Sequence, residues 1–289
     1  MNFARLASRV AVGGVSAALA TAGLVGVTST PATAAPVSTT YSCATPIGPV
    51  SVPVTVDIAL LPSTAPAGFP VPAGLLSFNS TLTVPNPPAP TLTGLGVTGG
   101  KSDDFGTAFG DSVAKAPVVW NTSVTNGDGS ITYSGKGSNA AFVLPKAGTY
   151  SVNMPKSFTL AATNASGATV FTATCTNATP SALGSITLSK QASVTKAKGP
   201  KSVTKGSLVT LKVTVTDDYS KTGGVIPSGK LIVKDGKNKV GKGTLDAKGK
   251  AKLKIKGLKP GAHKLVVIYK GDSYNEGSKS KALKVIVKG

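Results

Sequence analysis

Apolar and polar residues alternate in short runs through most of the chain. Val50, Val52, Val54, Val56 and Ile58 are separated by Ser51, Pro53, Thr55 and Asp57. A period of two marks a strand with one buried face, and Pro53 predicts an edge, because proline cannot donate to a ladder. Further strands are predicted over 77–84, 118–125, 129–134, 157–162 and 168–176. The segment Thr125-Asn126-Gly127-Asp128-Gly129-Ser130 predicts a tight turn between two of them. Dense prolines between Leu61 and Pro90 predict extended loop or edge.

The alternation is cleaner towards the C-terminus. Strands are predicted near 185–189, over 208–216, and around 229–234 and 239–245. Ala251, Leu253 and Ile255 then point one way, with Lys250, Lys252, Lys254 and Lys256 opposite. Leu265, Val267 and Tyr269 alternate with Lys264, Val266, Ile268 and Lys270. Leu283, Val285 and Val287 are set against Lys284 and Lys288. About seven strands in roughly 105 residues have the spacing of an immunoglobulin-like sandwich. The expected fold class is all-β, with two β-sandwich domains, the C-terminal one immunoglobulin-like. Tyr269 and Tyr274 are expected in the core of that second domain.

Charge divides the chain. Residues 35–183 hold 5 Lys and 5 acids, whereas 184–289 hold 24 Lys and 6 acids. Such a step predicts a boundary between a neutral domain, 35–183, and a Lys-rich domain, 184–289. The segment before them reads as a secretory signal peptide, 1–34. Arg5 and Arg9 precede an uncharged stretch from Val10 to Val27, and Ala32-Thr33-Ala34 is an A-x-A cleavage site. No later segment is long enough to span a membrane. The mature chain is therefore expected outside the cell, secreted or loosely associated with the envelope.

Only two cysteines and one histidine occur in 289 residues. That excludes a His-rich metal centre and a zinc site built mainly from thiolates. In an oxidising compartment an even pair without partner ligands predicts a disulfide, Cys43 to Cys175, closing the neutral domain. No cofactor and no metal are expected.

Particular runs carry a resemblance. Ser228-Gly229-Lys230-Leu231-Ile232-Val233 is followed by Gly249-Lys250-Ala251 and by Leu258-Lys259-Pro260-Gly261-Ala262-His263-Lys264-Leu265. Tyr269-Lys270-Gly271-Asp272-Ser273-Tyr274 and Ser278-Lys279-Ser280 complete it. Residues 184–289 resemble the bacterial Ig-like repeat domain of exported and cell-surface proteins. That resemblance implies a spacer, adhesion or presentation module without catalysis. The Lys density exceeds what the family pattern needs. Tyr41, Cys43, Pro46 and the late Cys175 make the neutral domain similar to a β-sandwich domain of unknown role in exported actinobacterial proteins.

Four sets of residues are candidates for chemistry. His263 would need a nucleophile and an orienting acid, of which only Asp272 is in prospect, so a structural role at a strand start is expected. Asp103, Asp104 and Asp111 could offer oxygens to calcium, but their spacing is not that of a calcium loop, and a solvated turn is expected. Asp128 belongs to the predicted tight turn. Paired carboxylates for sugar cleavage would want aromatic platforms, and Trp120 is the single Trp. The Lys array is the feature that asks for a partner. Lys212, Lys250, Lys252, Lys254, Lys256, Lys264, Lys270, Lys284 and Lys288 are expected to make one positive face for an anionic cell-wall polymer, another surface polyanion or carbohydrate. The plain alternative is a solvated face that opposes aggregation. Nucleic acid is not expected, because the domain has no Arg and no row of stacking aromatics.

Overall fold

A computed structural model describes residues 35–58, 61–110 and 112–289. The expected leader lies outside them. Strands β1 (Val37–Thr45) and β2 (Gly48–Ile58) form a hairpin whose alternation buries Tyr41, Cys43, Val50, Val52, Val54 and Val56. They are followed by β3 (Thr64–Pro66), β4 (Pro70–Val71), β5 (Ser77–Val84) and a short helix α1 (Pro88–Gly94). Then come β6 (Gly99–Ser102), β7 (Gly106–Phe109), β8 (Ser112–Lys115), β9 (Val118–Thr125) and β10 (Ile131–Ser138). β11 (Phe142–Val143), β12 (Gly148–Asn153), β13 (Ser157–Thr163), β14 (Thr169–Thr176) and β15 (Ala182–Ser189) complete this part.

Eight of these strands close into a barrel in the order β1-β14-β13-β6-β9-β10-β5-β2. Five others form a second sheet, β3-β15-β12-β7-β8. Where the alternation predicts a sandwich of open sheets, β1 pairs on both sides, with β2 and with β14, and closes the sheet on itself. Pro53 accordingly is not on an edge strand. It faces Thr40 of β1, and the ladder to β5 begins one residue later, at Val54, so the missing N–H falls outside that ladder. Trp120, Tyr41, Phe158 and Phe105 fill the interior, with Phe158 edge-on to Tyr41 at 4.9 Å. Two enclosed voids in and beside the barrel, about 30 and 40 Å³, have room for a water molecule.

The Lys-rich part contains β16 (Val194–Lys198), β17 (Ser202–Thr204), β18 (Val209–Thr216), β19 (Lys230–Asp235) and β20 (Asn238–Thr244). It ends with β21 (Lys250–Ile255), β22 (Gly261–Tyr269), β23 (Ser278–Lys279) and β24 (Leu283–Lys288). One sheet runs β16-β18-β21 and the other β17-β24-β22-β19-β20, with β23 on β22. Leu211, Val213, Val215, Leu231, Val233, Leu253, Ile255, Leu265, Val267, Tyr269 and Val285 make the core between them. This is the sandwich that the alternation predicts, and the chain is all-β.

Two expectations change where the parts meet. The strand near 185–189, expected to open the Lys-rich domain, is β15, and it pairs with β12 and β3. Its Ile186 and Leu188 are buried with Phe109, Leu144 and Val152. Tyr274 packs against that same cluster and not in the core around Tyr269. The backbone of Gln191 receives a hydrogen bond from the Glu276 N–H and donates one to the Tyr274 carbonyl, and Ala147 donates to the Ser273 carbonyl.

Candidate functional site

The lysines separate into two sets because the two sheets expose opposite faces. In the β16-β18-β21 sheet, Val209, Leu211, Val213 and Val215 turn inward, so Lys212 and its threonine neighbours turn outward. Lys252 lies directly opposite Lys212 on one side, and Lys198 lies directly opposite on the other. Lys196 and Lys250 flank Thr214 in the next row, and Lys254 faces Thr210. All six of these lysines are exposed, and none of the three strands carries an acid. Lys256 continues the row one residue past the end of β21.

Lys264, Lys284 and Lys288 stand on the other sheet, on the far side of the sandwich, and Lys270 follows β22 there. The nine lysines expected on one face are therefore split between two. On the second face Ile232, Val266, Ile268 and the half-exposed Ile286 interrupt them. Lys196 and Lys198 are absent from the sequence-based set because Val194–Lys198 has no aliphatic alternation beyond Val194 and Ala197 to mark it as a strand. Among the described residues no lysine lies within ion-pair distance of a carboxylate, and the ion pair that is present joins His263 and Asp235.

His263 Nδ1 stands 2.6 Å from an Asp235 oxygen and Nε2 stands 2.7 Å from the Lys259 carbonyl. Both partners are acceptors, so both ring nitrogens donate and the ring is held as imidazolium. The Asp235 hydrogen bond, followed by that to Lys259, raises its pKa above the ordinary 6.5. Asp272 is engaged elsewhere. It accepts the N–H groups of Ser228, Tyr274 and Asn275. Burial alone would raise its pKa, but those bonds outweigh burial and lower it. The acid beside His263 is thus Asp235, while Asp272, the acid in prospect from the sequence, pins the loop of Tyr274 and Asn275.

Among the acids of the barrel, Asp104 accepts the Thr159 N–H at 2.8 Å and the Ser102 hydroxyl at 3.0 Å. Asp103 is exposed, and Asp111 lies outside the described residues. Asp128 closes the predicted turn by accepting the Ser130 N–H. Among the described residues no three His, Cys, Asp or Glu side chains stand together as a metal cage. Trp120 is buried and donates to Ser80, so it offers no platform to a sugar. Cys43 and Cys175 are joined as a disulfide between directly paired residues of β1 and β14.

Residues 40–184 match the model of a family of unknown function, DUF6801, and they are 145 of the 289 residues. The chain belongs to the DUF6801 family. The DUF6801 region takes in the whole barrel except the first three residues of β1. Residues 195–288 match the bacterial Ig-like domain (group 3), which agrees with the sandwich of β16 to β24. Neither description brings an activity with it. No curated protein matches this DUF6801 chain. Among solved structures, the D0-D1 domain of intimin is 16% identical, covering 78% of this chain and 95% of its own, with a TM-score of 0.24. A marsupial T cell receptor is 10% identical over 82% of this chain and 72% of its own, with a TM-score of 0.26. No helix among the described residues is long and apolar enough to cross a membrane.

Proposed function

We propose that the protein is an exported, non-catalytic spacer or adhesion module of the cell envelope. Its barrel and its Ig-like sandwich act as two domains that meet in the segment from Lys190 to Ser193. The observation that carries this reading is the bonded joint. Gln191, Tyr274 and Glu276 tie the end of β15 to the Ig-like part through backbone bonds, and Phe69 meets Tyr219 edge-on at 5.0 Å. A spacer holds its cargo at a set place only if its parts do not swing freely, and these contacts oppose swinging. Export is supported by the leader-like 1–34 and by the Cys43–Cys175 bond, which persists in an oxidising compartment.

Cell fractionation with thiol alkylation tests this. The expected result is a chain beginning at Ala35, outside the cytoplasm, with both cysteines protected until reduction. A cytoplasmic chain with two free thiols would sink the proposal.

A second reading is favoured by the lysines without acidic partners: the Ig-like part grips an anionic wall polymer. Retention on purified cell walls that falls steeply as salt rises would support it.

A further inference from the structure

We propose that the outer face of the β16-β18-β21 sheet is a docking surface for a linear polyanion, and that the opposite face of the sandwich is not. The proposal deepens the polymer-binding reading and rests on it. Two observations, the first and the third, set this face apart, and the second it shares with the opposite face, where Lys264 also lies on an inner strand and directly opposite Lys284. First, Lys198, Lys212 and Lys252 form an unbroken row across three strands. Like charges directly opposite in a sheet repel, so this row costs stability in the free protein. Second, Lys212 lies on the central strand. Lysines that guard against edge-to-edge aggregation belong on edge strands, and β18 is covered on both sides. Third, the face holds donors almost throughout. Lysines alternate with Thr210, Thr214 and Thr216, whereas the opposite face breaks its lysines with Ile232, Val266 and Ile268.

The lattice sets the kind of partner. Rows across the strands repeat at roughly 4.8 Å, and Lys250, Lys252 and Lys254 repeat along β21 at roughly 6.8 Å. A polymer bearing one negative charge every ~5 to 7 Å can meet successive ammonium groups in either direction. Ammonium groups are point charges without the planar fork of Arg, so the face reads charge spacing and not the shape of the anionic group. Phosphodiester and uronate chains of equal charge spacing should then bind alike.

The test compares two triple variants of the full mature chain that lose the same charge. One is K198Q/K212Q/K252Q and the other is K264Q/K284Q/K288Q. The probes are poly(glycerol phosphate), a phosphodiester chain, and polygalacturonate, titrated across a salt series, with circular dichroism confirming the fold of each variant. The first variant should lose about tenfold or more in affinity at low salt, and the slope of log K against log salt should fall by about two to three. The second should change by about threefold or less through the general field. Equal losses in the two variants would overturn the assignment to this face while leaving polymer binding intact. A preference of more than about tenfold for one probe at matched charge would overturn the claim that spacing alone is read. No binding of either probe by the unaltered chain would overturn both this inference and the polymer-binding reading, whereas spacer function would survive. If the triple variant misfolds, K212Q alone serves, with a slope lowered by about one.

Discussion

Gln191 donates its side-chain N–H to the carbonyl of Ala67, across 124 residues of sequence. Both residues are buried, and Ala67 lies among the side chains that pack against Ile186 and Leu188. Replacing Gln191 by Ala would leave that carbonyl buried without its donor, at a cost of about 1 to 3 kcal/mol. The cost should fall on the joint. Calorimetry of the Q191A variant should therefore show the barrel and the sandwich melting further apart in temperature than in the unaltered chain. A single, unshifted transition would mean that the joint does not depend on this bond.

The charge step places a boundary at 183/184, but β15 runs through it. A chain cut after Leu183 loses Ile186 and Leu188, which are 3% and 2% exposed. Burial of such side chains contributes about 1.5 to 3 kcal/mol each, and the middle strand between β3 and β12 goes with them. A chain of residues 35–190 keeps the strand. It should unfold cooperatively in a thermal melt, whereas 35–183 should melt lower and more broadly. Equal melts for the two would show that β15 adds nothing to the first part.

The same strand shows what alternation reveals and what it hides. Ser77–Val84 is legible to the residue because inward Phe78, Leu82 and Val84 are set among polar neighbours, and Val118–Thr125 is legible from its run of Val, Trp and Thr, although only Val118 and Trp120 turn inward and Val119 and Val124 are exposed. β6 and β8 are too short and too rich in Gly, Ser and Ala to show a period, and β1 hides its inward Tyr41 and Cys43 among Ser and Thr. Because β1 and β6 are the strands that complete the barrel, its closure was invisible in the sequence. Ile186 and Leu188 announce a strand but not its partner, since one buried face fits either neighbouring sheet. The lysine face was half legible. Lys250, Lys252 and Lys254 follow from alternation, but the row through Lys198 depends on register across strands, which no local pattern records.

The disulfide sits on a short seam. β1 pairs with β2 over nine residues but with β14 over three, and Cys43–Cys175 is the middle pair of those three. The bond spans 132 residues of sequence, for which chain entropy predicts an upper figure of about 5 kcal/mol. Reduction, or the C43A/C175A variant, should lower the melting temperature of the barrel and leave that of the sandwich in place. A fall confined to the sandwich would contradict this account.

His263 gives the sandwich a pH dependence of definite sign. Its pKa is raised in the folded chain, by Asp235 first and the Lys259 carbonyl second. A raised pKa means that the folded state binds the proton more tightly than the unfolded state. The contribution is complete below the unfolded value of 6.5 and is lost as pH rises through the higher folded value. The melting temperature of the sandwich should fall as pH rises above 6.5 and through the higher folded value, and H263Q should flatten that fall. A slope of the opposite sign, or one that H263Q leaves unchanged, would remove the imidazolium from the account.

Lys212 offers a test of the repulsion without any ligand. It faces Lys198 on one side and Lys252 on the other, with its side chain in solvent. Replacing it by Thr keeps a good strand former at an outward position and removes two like-charge contacts. Each contact should be worth a few tenths of a kcal/mol at low ionic strength, so K212T should be more stable than the unaltered chain by about 0.5 to 1 kcal/mol in denaturant melts. Salt screens exposed charges within about 10 Å at 0.1 M and about 3 Å at 1 M, so the gain should shrink steadily as salt is added. The control is K254T, which faces Thr210 and has no lysine directly opposite, and it should gain less. If K212T gains nothing at low salt, or gains as much at high salt, the row carries no electrostatic strain and the strongest reason for assigning it a partner is gone.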